Sequence, residues 1–158
     1  MDEERLAHRF AEAIYGTVIA AGVLVAVSDE SQPDAGAAAA YAFVTVVVLW
    51  LAHAWAHTLG RRAAGAATLG GFTGSLVADS PLVLAALPAL AGLGLALILG
   101  ASDETALAVA SWVCVALLGI WGAAIGVRER QTPVRVALTA GGSAALGLIM
   151  IGLKSLLG

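Results

Sequence analysis

Apolar residues run with few interruptions over 10–28, 37–59, 78–100, 106–127 and 133–156, and most charged residues fall in the gaps between these runs. Each run is close to the about 20 residues a helix needs to cross the hydrocarbon core of a bilayer. None shows the short segments of alternating polarity that a membrane barrel requires. The pattern therefore predicts an all-α, polytopic integral membrane protein with five transmembrane helices, forming a single domain over 1–158.

Turn and cap residues punctuate the runs. Ser28-Asp29-Glu30 followed by Pro33 closes the first, and Gly60 before Arg61-Arg62 closes the second. Ser80-Pro81 reads as the N-cap of the third, Asp103-Glu104 as an acidic first turn for the fourth, and Thr132-Pro133 as an N1 proline for the fifth. The connection 60–77, with Gly65, Gly70, Gly71 and Gly74, reads as a flexible loop. Pro88 removes a backbone donor inside the third helix and should kink it. Gly92, Gly94, Gly141, Gly142 and Gly147 lie among alanines, which favours close helix packing or a homodimer.

Composition agrees. The chain has 158 residues, 60% apolar and 12% charged, with a mean hydropathy of +0.93. A soluble fold of this size needs more polar surface than that. The five spans use nearly the whole length and leave no room for an extramembrane domain. The lone cysteine, Cys114, lies in an apolar run and suits packing; it can form no intrachain disulfide. The charged start, Met1–Arg9, lacks the form of a cleavable signal peptide, so the first run should remain as a helix.

Charge sets the expected orientation. Arg5, Arg9, Arg61, Arg62, Arg128, Arg130 and Arg135 all fall on one side of the five-span arrangement, seven of the eight Lys and Arg. The opposite connections hold Asp29, Glu30, Asp34, Asp103 and Glu104. The positive-inside rule then places the N-terminus in the cytoplasm and, with an odd number of spans, the C-terminus outside, where Lys154 can snorkel. The expected surroundings are the lipid bilayer; the net charge of −3 gives no reason to expect a nucleic-acid partner.

Ionisable groups inside a span cost about 2.5–3.5 kcal/mol on insertion scales, so each requires a reason. The candidates are Glu12 with Tyr15 and Thr17 in the first helix, His53 and His57 in the second, and Asp79 at the start of the third, with His8 one turn before Glu12. Counting inward from Arg9 and from Gly60 sets Glu12 level with His57 and Tyr15 level with His53. His53 and His57 share one face at i, i+4 spacing, as do His8 and Glu12. Convergence of these faces gives a metal set of Glu12, His53, His57 and Asp79, with His8 and Tyr15 as an outer shell or proton relay. Imidazole and carboxylate suit Zn, Fe(II), Mn, Co or Ni, and the same groups can pass protons. Ala54 holds the position that carries the glutamate in an H-E-x-x-H hydrolase motif, and no nucleophile–base pair or phosphate loop is visible. The chain is not expected to be an enzyme.

Each of these residues also has a plain structural use. Glu12 and Asp79 lie in first turns, where a carboxylate caps or meets the helix dipole. His53 can bond a hydroxyl of the first helix. Trp50, Trp55, Trp112 and Trp121 suit an interfacial belt or packing.

The stretch Leu117–Gly158, with Leu118-Gly119-Ile120-Trp121, a basic loop containing Pro133 and a Gly/Ala-rich last helix ending Gly152-Leu153-Lys154, resembles the end of vacuolar iron transporter-like proteins. Asp79-Ser80-Pro81 with the following Ala/Leu run is similar to that family's third helix, and Glu12–Gly16 to the opening of its first. The resemblance implies five helices, a dimer and transport of a divalent metal. The chain departs from the family at Val18, Ile19 and Ala20, where the family has an acidic residue, and at His53, Trp55 and His57, where it has Met and Glu ligands. The family's acidic cytoplasmic insertion is absent. Arg9-Phe10 and the Trp/His content of the second helix are also similar to bacterial relatives of the lysosomal potassium channel, without that family's Phe-Ser-Asp signature.

Two function classes follow: a membrane transporter, possible cargo being a divalent transition metal coupled to protons, or a non-transporting subunit or scaffold, with a cation channel as a further alternative.

Overall fold

The computed structural model describes residues 2–27, 34–65 and 71–157. Among these, every regular element is a helix: α1 Asp2–Val27, α2 Ala35–Ala63, α3 Gly71–Ala78, α4 Ser80–Leu84, α5 Leu87–Ile98, α6 Asp103–Arg128 and α7 Pro133–Leu157. Leu6–Val27 within α1, α2, α6 and Pro133–Gly152 within α7 are each long and apolar enough to cross a membrane. Gly71–Leu84 and Leu87–Ile98, bent by 42° at the break between them, pass the same test together, a broken span or a re-entrant loop, which gives four or five spans. The chain is an all-α, polytopic membrane protein.

The bend has the expected cause, at a slightly different place. Pro88 lies in the first turn of α5, where its missing N–H is tolerated, and the helix parts at Ala85 and Ala86 just before it. The second span also departs from expectation. Gly60 does not end it: α2 continues through Arg61 and Arg62 to Ala63, and Gly65, at φ +75°, makes the left-handed turn that follows. The expected loop over 60–77 is a helix from Gly71 onward, with Ser75 buried against α2. Trp50 Nε1 donates to the Leu76 carbonyl at 2.9 Å and pins α3 there. The residues expected to close the first span, Ser28, Asp29, Glu30 and Pro33, lie outside the described residues.

Alanine builds much of the core. Ala35, Ala38 and Ala42 of α2 are fully buried with Leu24, Leu93, Leu107 and Cys114, while Ala20, Val46, Leu82 and Ala86 form a second cluster nearer α4. Small residues let backbones approach where lipid gives no hydrophobic drive to association. The clearest seam joins α6 to α7. A Cβ on Gly122 would stand 2.7 Å from the Thr139 carbonyl oxygen, and one on Gly147 would stand 2.9 Å from Val115 Cγ2. Outward-facing Leu138, Leu146, Leu148 and Ile149 leave α7 an apolar face suited to lipid.

At the end away from most of the arginines, two acids serve as caps. Asp34 Oδ1 accepts from Ala37 N at 2.9 Å, and Asp103 Oδ2 accepts from Ala35 N at 3.3 Å, so the start of α6 holds the start of α2. Ser102 is the N-cap of α6.

A candidate metal centre

Two helices and one interhelical joint bring the site together near the arginine-rich end. Helical spacing sets His8 on α1 and His57 on α2, and the one-residue joint between α3 and α4 sets Asp79 between them. His8 Nε2 lies 2.8 Å from Asp79 Oδ1, and His57 Nδ1 lies 3.1 Å from Asp79 Oδ2. A carboxylate oxygen accepts, so the tautomers that fit these contacts carry the N–H at His8 Nε2 and at His57 Nδ1. The Asp79 side chain is fully buried, whereas the two imidazoles are 36% and 45% exposed. The carboxylate is thus screened from solvent by rings that themselves reach it.

Asp79 occupies the N-cap position of α4 but makes no side-chain cap bond. Both oxygens face the histidines instead. Ser80, expected as the cap, lies inside α4 and donates its hydroxyl to the Val77 carbonyl at 2.8 Å.

The ligand-bearing atoms of His8, His57 and Asp79 all lie within 4.8 Å of one another, the geometry of a three-donor cation site. His8, expected in an outer shell, is brought into the group by the fold. Glu12 and His53 lie outside it. His53 meets His57 edge-on at 6.0 Å and Tyr15 at a tilt at 5.5 Å, ring centre to ring centre, so Tyr15 and His53 share a level as the residue count predicts. His57 meets His8, with centroids 5.4 Å apart, one turn before the Glu12 level. Glu12 is buried, and its Oε2 has no hydrogen-bond partner. A buried acceptor of this kind is rare and calls for a proton, a water or a cation. Thr17, deeper in α1, satisfies its hydroxyl on the Ala13 carbonyl at 2.8 Å.

A second polar network supports the site and was not visible in the sequence. Thr58 Oγ1 donates to the Ala54 carbonyl at 2.7 Å and lies 3.4 Å from Ser75 Oγ. Arg61 bonds Ser75 Oγ and donates to the Gly71 carbonyl at 2.6 Å. These bonds fasten α3, and with it the Asp79 joint, to α2. The i, i+3 spacing of Thr58 and Arg61 is the available signal, hidden by Gly60, which reads as a helix end between them.

No family model, curated protein or solved structure matches this chain.

Proposed function

We propose that this protein is a small membrane transporter of a divalent transition-metal ion, admitted at His8, His57 and Asp79. The observation that carries the reading is the convergence of two imidazole nitrogens and a buried carboxylate within 4.8 Å, drawn from α1, α2 and the α3–α4 joint. Nitrogen and oxygen donors of this type suit Zn, Mn, Fe(II) or Co. Glu12, one turn further into α1 with a partnerless buried oxygen, offers the next acceptor along the same face. Proton coupling belongs to the same proposal, because imidazole binds a metal only when neutral, so that ion and proton compete for the ligands.

The likeness of Leu117–Gly158 to vacuolar iron transporter-like proteins supports the same class, as does an architecture of up to five spans. In this reading the N-terminus is cytoplasmic, the C-terminus lies outside, and two copies pack through open small-residue surface such as Gly94, Gly141 and Gly142. Titration calorimetry of the purified protein with Zn, Mn, Fe(II) and Co, followed by flux into proteoliposomes under a proton gradient, tests it. Absence of binding between pH 6 and 8 overturns it.

One observation favours a second reading. Both oxygens of Asp79 are already satisfied by histidine in the protein alone. A non-transporting membrane subunit could use that triad as a clasp that fixes α1, α2 and α4. It predicts no metal binding and a loss of thermal stability when the clasp is cut.

A further inference from the structure

Arg9 stands between two clefts of opposite character. On one side, a cavity of about 600 Å³ opens among α1, the α4–α5 break and α6, walled by Leu6, Phe10, Leu84, Leu117 and Trp121, with Arg9 the one charged residue among the described residues that line it. On the other, a cleft of about 500 Å³ is lined by His8, Arg9, Arg61 and Ser80, and among the described residues no carboxylate lines it. The clefts adjoin: Arg9 lines both, and the consecutive residues Ser80 and Pro81 each line one.

We infer that this pair of clefts binds one anionic phospholipid, with an acyl chain in the apolar cavity and the phosphate beside Arg9 and Arg61. The apolar volume lies within the about 300–1,000 Å³ of small-ligand sites, and its opening beside the helix break gives a chain a way in from the membrane. Guanidinium groups match phosphate oxygens by planar, paired N–H donors. Arg61 is held in place by Gly71 and Ser75, so its orientation is set before a ligand arrives. The clefts lie at the end of the bundle that carries Arg9, Arg61 and Arg128, where a basic pocket between spans favours an acidic headgroup. A choline headgroup would set its own cation beside two arginines. Free phosphate would leave the apolar cavity unused. The site therefore requires an amphiphile with net negative charge.

The test is native mass spectrometry of the full-length protein in non-ionic detergent, with phosphatidylglycerol, phosphatidylcholine of identical chains, and inorganic phosphate as separate probes. The expected result is a one-to-one phosphatidylglycerol adduct retained at least about fivefold better than phosphatidylcholine, and no retained inorganic phosphate. Arg9→Gln should weaken phosphatidylglycerol by about fivefold and leave phosphatidylcholine unchanged, since one arginine contact is removed. Leu84→Trp, at an exposed edge of the cavity, should weaken both lipids by narrowing the chain's entry. Equal retention of the two lipids by the parent protein overturns the inference without reference to any variant. So does an Arg9→Gln protein of unchanged helicity that still prefers phosphatidylglycerol, or retention of inorganic phosphate equal to that of the lipid.

Discussion

Gly16 of α1 lies directly against the main chain of Leu82 in α4: a Cβ at Gly16 would overlap the Leu82 carbonyl oxygen and stand 2.8 Å from the carbonyl carbon. Backbone meets backbone, so neither side can yield by turning a rotamer. Leu82 is three residues from Asp79, and this contact sets how near Asp79 comes to His8. Gly16→Ala should lower stability by about 1–3 kcal/mol, through overpacking, and weaken metal binding with it. Gly141→Ala is the control, because a Cβ there meets nothing within 4 Å. Thermal melts of both variants in detergent check this; equal melting temperatures would remove the close contact as a determinant of the fold.

The triad divides from its neighbours under mutation. His57→Ala and His8→Ala should each reduce divalent-metal affinity by at least about tenfold, on the scale of losing ligand support. His53→Ala should leave affinity near the parent value, because His53 lies outside the three-donor group. Protons should compete with metal in the parent, since imidazole coordinates only when neutral. Calorimetric titrations at pH 5.5, 6.5 and 7.5 on the four proteins decide it.

Asp79 has two separable effects. Asp79→Asn keeps a similar shape but removes the charge, so metal binding should be lost while the fold stays assembled. Asp79→Leu leaves both imidazoles without their acceptor and should cost about 1–3 kcal/mol, at the lower end because the half-exposed rings can turn to water. Metal titration and melting curves for the pair separate a ligand from a clasp: equal loss of stability with unchanged metal response favours the clasp.

Arg61→Ala removes the bonds to Gly71 and Ser75 that hold α3 on α2. Faster hydrogen exchange over 71–78, with α6 and α7 unchanged, is the expected signature, because an opening confined to α3 leaves the α6–α7 seam intact. Uniformly unchanged exchange would assign the docking of α3 to Trp50 and apolar contacts instead.

The proposed five-span topology puts the two termini on opposite sides of the membrane. A phosphatase fusion at the C-terminus, active only outside the cytoplasm, should give activity, and a fluorescent fusion that matures only in the cytoplasm should stay dark. The reverse pattern would show the arginine-rich end facing outward.

The runs of apolar residues determined the class of fold, because an element that crosses lipid must satisfy its backbone internally and present apolar side chains along its whole length. The positions of Pro88 and Pro133 likewise marked the break and the start of α7, since a missing N–H acts through local geometry alone. Tyr15 and His53 could be paired by counting along two antiparallel helices. What counting could not supply was the tilt and closeness of the helices. Those depend on where a backbone can approach another, as at Gly16 and Leu82, and on whether a Gly-rich segment finds a partner for its polar groups, as α3 does on Thr58 and Arg61. Such contacts moved His8 into the group around Asp79, left Glu12 outside it, and turned an expected cap into the shared acceptor of two histidines. A carboxylate has several satisfactory partners within reach of its helix, and only the packed arrangement selects among them.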